Sequence, residues 1–242
     1  MKKGYGTYCP VSLAAEIVGE RWTIPLLVAL GDEDTLRFNE MRRALPRIPP
    51  STLTQRLRSL EDAGLVKKRR VRGDAAYEYL LSEAGRDLEP ILYELGYWGQ
   101  RWARDLVPDD LDTRTLGWSM HHRIDTEAMP AGRTVVEFDL SGEGAHCGRF
   151  WIVHEAGSVD VCVKHPGHDV DLRVTADLRR FTEAWRGFRS MRAEIAAGRI
   201  RLHGARALRR DFPNWLLLSV AAPVERQRPG RERSLRRRTR AS

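Results

Sequence analysis

Cysteine is scarce in this 242-residue sequence: Cys9, Cys147 and Cys162 are the only three, too few and too scattered for a disulfide framework or a zinc site. All three are expected to be reduced. Long apolar runs are missing as well, and nothing approaches the roughly 20 consecutive apolar residues of a membrane span, so no membrane partner is expected. The opening MKKGYGTYCPVS lacks the apolar stretch and small-residue cleavage site of a secretory signal, which implies a cytoplasmic protein. Neither a glycine-rich phosphate loop nor a serine-nucleophile motif occurs. His121, His122, His146 and His203 have no matching Cys or carboxylate spacing. His165 and His168, three apart around Pro166-Gly167, lack the further ligands a metal needs. No catalytic residue, metal or cofactor is expected, and the chain does not read as an enzyme.

What the chain has in excess is positive charge, +8 in all, and its distribution is uneven. Residues 36–73 hold eleven basic side chains against the three acids Glu40, Glu61 and Asp62, a net +8. Residues 226–240 carry eight arginines against Glu232, a net +7, while residues 107–225 are close to neutral. Clustered Lys and Arg attract polyanions, and the attraction weakens with salt as counterions are released. Double-stranded DNA is therefore the expected partner.

The run CPVSLAAEIVGERWTIPLLVAL predicts two helices broken at Gly19, with Leu13, Ile17 and Val18 on the inner face of the first and Leu26, Leu27 and Leu30 on that of the second. Thr23 is expected to cap the second, leaving Pro25 in its first turn. RFNEMRRALPRIPP predicts a short helix led by Asn39, with Met41 and Leu45 buried and Pro46 setting the exit. Next, Pro50 to Ala63 carries Leu53, Leu57 and Leu60 as one narrow apolar stripe. Ser51, Gln55 and Arg58 point away from it, with Thr52, Thr54 and Ser59 on the flanks. Gln can bond adenine and Arg guanine, each through two hydrogen bonds, while Ser and Thr hydroxyls serve base or phosphate. Taken alone, that face reads more readily as a solvated amphipathic surface, and the surrounding elements reverse that reading. After Gly64, LVKKRRVRGDAAYEYLL predicts a hairpin turning at Arg72-Gly73-Asp74, with Tyr77, Tyr79 and Leu81 alternating on the returning strand. Arg70 and Arg72 on this basic arm are candidate phosphate contacts. The ordered set of helices, turn, polar-faced helix and basic hairpin is far more specific than any one element.

CPVSLAAEIVGERWTIPLLVAL, RFNEMRRALPRI, LTQRLRSLEDAGLVKKR and YEYLLSEAGRDLEPIL together resemble the HxlR-type winged helix-turn-helix regulators over residues 9–106. The resemblance implies a homodimeric transcriptional repressor or activator, with the Pro50 to Ala63 helix in the major groove, the Val71 to Ala75 wing near the minor groove, and the flanking helices forming the dimer interface. One departure is Pro49-Pro50, where family members often carry a polar capping residue. From the residues themselves, a helix beginning near Ser82 repeats Leu88, Ile91, Leu92, Leu95, Trp98 and Trp102 at helical spacing. That apolar stripe is longer than a small winged domain covers, so it joins either a second copy or the second domain; Pro90 predicts a kink. Cys9 precedes Pro10 at a helix N-terminus, where the dipole favours thiolate. It is a candidate redox sensor or a passive small side chain.

Residues 107–114, VPDDLDTR, read as a linker. Beyond them, TVVEFDLS with Val136, Phe138 and Leu140 inward, two strands joined at Ala156-Gly157-Ser158, a fourth strand DVDLRVTA, a helix capped by Asp177, a second helix through Met191 and Ile195, and a return strand RIRLHG predict an α+β domain. Strand order together with DLRVTADLRRFTEAWRG and AAGRIRLHGARAL resembles the sterol carrier protein type 2 fold over residues 115–222. That resemblance implies an apolar tunnel for a lipophilic effector. Phe138, Trp151, Trp185 and Trp215 would either line such a pocket or form core. Residues 223–242 read as a basic disordered tail with either a DNA-attracting or a solubilising role. The expected architecture is α+β, a winged helix-turn-helix domain followed by a sterol-carrier-like domain. The expected function is sequence-specific transcriptional regulation by a homodimer, with repression as the default and a small apolar effector. The competing reading is a lipid carrier whose first domain only dimerises.

Overall fold

Apolar residues at helical and strand spacing build two units, Met1–Leu95 and Gly96–Ser242. The computed structural model describes residues 4–71, 73–74, 76–144 and 146–227; the Arg72 contact and most of the basic tail lie outside them.

The first unit runs α1 (Pro10–Val18), α2 (Thr23–Gly31), β1 (Leu36–Arg37), α3 (Phe38–Ala44), α4 (Pro50–Asp62), β2 (Val66–Arg70), β3 (Tyr77–Leu81), α5 (Glu83–Arg86) and α6 (Glu89–Trp102), the last crossing the division between units. Leu26, Leu27, Leu30, Met41, Leu53, Leu57 and Leu60 are buried at its centre, each worth about 1.5–3 kcal/mol relative to exposure. β2 and β3 form an antiparallel hairpin, Val66 opposite Leu81 and Arg70 opposite Tyr77, and β1 adds to the free side of β3. This is a winged helix-turn-helix.

α4 ends in a Schellman motif. Gly64 takes φ +73°, its N–H donates to the Glu61 carbonyl, and the Leu65 N–H donates to the Leu60 carbonyl, both at 2.9 Å, so the orphan carbonyls of the last turn are satisfied and the chain turns into the hairpin. Ser82 closes the same corner. Its hydroxyl donates to the Gly64 carbonyl at 2.6 Å and accepts from the Gly85 N–H at 3.1 Å. A Cβ on Gly85 would stand 2.2 Å from the Leu65 carbonyl oxygen, which excludes every other residue from that position without movement.

Several local expectations are corrected. Trp22, at φ +77°, and not Thr23, is the N-cap of α2, and Thr23 is a buried helix residue. α3 begins one residue before Asn39, with Arg37 as N-cap and its N–H bonded to the Glu40 carboxylate at 2.6 Å. Its buried pair is Met41 and Ala44, because the chain leaves the helix at Leu45. The helix expected from Ser82 is two: the Leu88 N–H bonds only three residues back, to Gly85, and Pro90, which has no N–H, sits in the first turn of α6. Leu13 and Ile17 of α1 are exposed rather than packed inward.

The second unit contains a 3₁₀ turn (Pro108–Asp110), α7 (Thr113–His121), β4 (Thr134–Ser141), β5 (Gly148–Glu155), β6 (Ser158–Cys162), β7 (Leu172–Asp177), α8 (Leu178–Trp185), α9 (Met191–Ala196), β8 (Ile200–Gly204) and α10 (Arg206–Trp215). Its sheet has the order β6-β5-β4-β7-β8, with β4 and β7 parallel and the other neighbours antiparallel. Ala156 and Gly157, both at positive φ, make the tight β5–β6 turn. Asp177 caps α8 by accepting from the Arg180 N–H at 2.9 Å. Residues 107–114 are not a linker: Leu111, Asp112 and Thr113 are buried and lead into α7. The division falls at Leu95/Gly96 because the end of α6 is tied into the second unit, where the Gln100 amide and the Arg186 main chain and guanidinium exchange bonds of 2.8 and 2.7 Å.

The four aromatic residues expected around an effector do not share a cavity. Phe138 stacks on Phe150 at 4.7 Å and meets Phe181 edge-on, while Trp215 packs against Phe212 at 4.9 Å. Trp185 belongs to the same closed core and donates to the Leu217 carbonyl. Trp151 follows Phe150 on β5 and so faces the opposite side of the sheet. Strand alternation separates it from the other three.

Candidate nucleic-acid interface

Three buried leucines fix the rotation of α4, and that rotation decides which side chains are presented. With Leu53, Leu57 and Leu60 at 2% exposure or less, Ser51, Gln55, Arg58 and Ser59 are exposed and Thr52 and Thr54 are half-buried on the flanks. Gln55 and Arg58 make no hydrogen bond or ion pair among the described residues. The Thr54 hydroxyl is turned back on its own helix, donating to the Pro50 carbonyl at 3.0 Å, which reduces its use to a ligand. At the start of α4, Pro49 offers no side-chain cap, so the N–H groups of Ser51 and Thr52 remain open at the positive end of the helix dipole, the arrangement that receives a phosphate.

Pairing sorts the basic excess of residues 36–73. Arg37 meets Asp74 at 3.3 Å, Arg69 meets Glu78 at 2.6 Å, and Arg56 meets Glu20 at 2.5 Å. Lys68 Nζ sits over the Tyr77 ring at 4.2 Å. Arg42, Arg43, Arg47, Arg58, Lys67 and Arg70 are exposed and have no carboxylate partner among the described residues. These uncompensated cations follow α3, α4 and the basic strand of the wing.

Arg56 is the residue that sequence reasoning missed. It is 9% exposed, and its Nε also donates to the Arg21 carbonyl at 3.1 Å, so it is an internal tie to the α1–α2 turn and not a surface cation. Its position, about 40° around the helix from Leu60, was the available signal.

The remaining sequence-predicted residues are placed as follows. On α6, Leu95, Trp98 and Trp102 are exposed, Leu88 just before it and Leu92 within it are half-buried, and Ile91 is 61% exposed. The α6 residue that the fold buries is the polar Gln100. Cys9 is the N-cap of α1 and makes no side-chain cap bond; the nearby Ser12 and Val11 backbone N–H groups and the Ser12 hydroxyl favour its thiolate and hold the thiol below the usual range. His165 Nδ1 accepts from the Gly167 N–H and His168 Nδ1 faces Arg133, each at 3.1 Å.

Residues 17–106 match the model of the HxlR-like helix-turn-helix family. The uncharacterized HTH-type transcriptional regulator YdzF of Bacillus subtilis is 34% identical over 91 residues, which cover 37% of this chain and 84% of that relative. YdeP of the same organism, likewise named an HTH-type transcriptional regulator, is 37% identical over 39% of this chain and 73% of its own length. A third such regulator, from Methanothermobacter thermautotrophicus, is 38% identical over 39% of this chain and 72% of its own. The match runs from Ile17 in α1 through the rest of the first unit and the whole of α6, leaving residues 107–242 outside it. This chain belongs to the HxlR-like helix-turn-helix family.

Proposed function

We propose that the protein is a sequence-specific DNA-binding transcriptional repressor that acts as a homodimer and answers to a small molecule bound by its second unit. The observation that carries the reading is the face of α4. Its leucine stripe is fully buried, its Ser51, Gln55 and Arg58 are exposed and unengaged, and an open helix N-terminus and unpaired cations flank it. Base-edge donors and acceptors on a rigid helix discriminate sequence, and surrounding cations hold phosphates. The names of the relatives, HTH-type transcriptional regulators, agree with it.

Dimerisation is supported by exposed apolar side chains on two helices: Val11, Leu13 and Ile17 on α1, and Ile91, Leu95, Trp98 and Trp102 on α6. Single exposed apolar residues are ordinary, but rows of them including two tryptophans mark a partner surface. A dimer seated on a promoter blocks access by occupancy alone, so repression needs no further surface.

Footprinting the purified protein on DNA upstream of its own and neighbouring genes tests the reading. Two protected half-sites with dyad symmetry, spaced by about 34 Å or a multiple, are expected. Uniform protection without sequence preference would contradict it.

A further inference from the structure

Among the described residues, most arginines of the second unit are matched by a carboxylate, for example Arg114 by Asp112, Arg133 by Glu155, Arg149 by Asp139, Arg173 by Glu137, and Arg180 and Arg199 by Glu194. Arg123 and Arg192 are matched by neutral groups. Arg123 Nε donates to the Leu218 carbonyl at 3.0 Å, and Arg192 Nη2 donates to the Asn214 amide oxygen at 2.8 Å. Both residues line one open cleft of about 670 Å³ between the α8–α9 connection and the segment after α10. Phe188, Met191, Pro213, Leu216, Leu218 and Val220 supply its apolar lining. No Asp or Glu lines it; Arg189, also at its rim, is neutralised by Glu183 at 2.6 Å.

The walls are fixed before any ligand arrives. The Leu217 N–H donates to the Arg123 carbonyl at 2.9 Å, Trp185 Nε1 donates to the Leu217 carbonyl at 3.1 Å, and the Ser219 N–H donates to the Trp185 carbonyl at 3.0 Å. A positive φ at Gly187 brings the connection within 2.5 Å of the Ala222 carbonyl for any added Cβ, so only glycine permits this closure. The volume lies within the range of small-molecule sites, which combine mostly apolar walls with a few placed polar groups.

The geometry points to a binding site for an amphipathic anion, a molecule with an apolar body and one carboxylate or sulfonate headgroup. The body lies on Phe188, Met191 and Leu218, and the headgroup meets Arg123 and Arg192, whose charges no carboxylate among the described residues cancels. A guanidinium held by a neutral carbonyl keeps donors for a second, charged partner and gains more from it than from water. The assignment rests on the proposed effector-responsive second unit and names the ligand class for it. It also replaces the aromatic core as the place where a ligand is received.

Binding of decanoate to the full-length protein, without DNA, tests the site, with 1-decanol of equal chain length as the uncharged control and 1-anilinonaphthalene-8-sulfonate as the fluorescent reporter. Saturable reporter fluorescence displaced by decanoate at least tenfold more effectively than by decanol is expected. Arg192→Gln and Val220→Glu, both at exposed positions, are each expected to weaken decanoate by about tenfold with unchanged thermal midpoints. Equal displacement by the two probes, or unaltered binding in both variants, overturns the site. Operator affinity is read in a separate titration. Decanoate binding that leaves operator affinity unchanged supports the cavity and contradicts effector control, so the two claims fail independently.

Discussion

Arg56 and Glu20 are joined at 2.5 Å across the first unit, with the Arg56 Nε bonded to the Arg21 carbonyl, whereas Arg58, two residues along the same helix, is exposed and engages no group among the described residues. One turn of α4 therefore carries an internal tie and a solvent-facing cation of identical chemistry. Arg56→Ala is expected to lower unfolding stability by about 2 kcal/mol, since it orphans the Arg21 carbonyl and removes the ion pair to Glu20. Arg58→Ala is expected to change stability by less than about 0.5 kcal/mol while weakening operator binding. Urea denaturation of the two variants side by side checks the contrast.

Phosphate contacts and base contacts separate by their salt dependence. Lys67→Ala and Arg70→Ala are expected to weaken operator and random DNA alike, each lowering the slope of log affinity against log salt by about 1. Arg72→Ala, on the same arm, is expected to behave like them. Fluorescence anisotropy at four salt concentrations measures this, and an unchanged slope in all three would remove the wing from the interface.

Gly85 tests the corner between the hairpin and α5. Its missing Cβ would fall 2.2 Å from the Leu65 oxygen, so Gly85→Ala forces backbone movement at the Ser82 cap and is expected to cost about 1–3 kcal/mol. Thermal denaturation reads the loss; a midpoint within a degree of the unsubstituted protein would show that the corner yields freely.

The Arg180–Glu194–Arg199 cluster gives the second unit a pH signature. Bonds from Arg199 and Arg180 hold the Glu194 carboxyl down to about 2, below its value of about 4.3 in an unfolded chain. A depressed carboxylate stabilises the fold at pH values above the unfolded one, and that contribution is lost as pH falls from about 4.3 towards 2. Glu194→Gln should therefore flatten the acid limb of the stability profile. Urea midpoints between pH 2 and 6 check it; parallel acid limbs for the two proteins would assign the acid loss elsewhere.

Cys9 offers a titration of another kind. With the Ser12 and Val11 N–H groups and the Ser12 hydroxyl favouring the thiolate, its alkylation by iodoacetamide is expected to reach half-maximal rate at a lower pH than a free thiol, and Cys9→Ser should abolish that phase. A profile indistinguishable from a free thiol would make the residue a passive one.

What the sequence made legible was governed by strong periodicity. The Leu53, Leu57 and Leu60 stripe, the Val66 to Leu81 hairpin and the alternation of β4 each bury a face that only one register satisfies. What it concealed depended on hydrogen bonds and long-range pairing. β1 is two residues long and exists because β3 has a free edge; the α5–α6 break follows from the coincidence of Pro90 with the Ser82–Gly85 corner; α7 begins at Thr113, within a stretch whose acids and proline resemble a linker, and runs on beyond it. Arg56 looks like the other arginines until the Glu20 and Arg21 partners are seen. The sterol-carrier resemblance puts Phe138, Trp151, Trp185 and Trp215 together in a pocket or a core; strand register on β5 puts Trp151 on the face opposite Phe150, while Phe138, Trp185 and Trp215 share the core.

The central claim is that α4 reads bases, and the ratio of operator to random-DNA affinity at one fixed salt concentration measures it most directly. Gln55→Ala is expected to reduce that ratio by about 1–3 kcal/mol while leaving random-DNA binding intact. A ratio equal to that of the unsubstituted protein, or an equal loss on both DNAs, would contradict base reading by this helix.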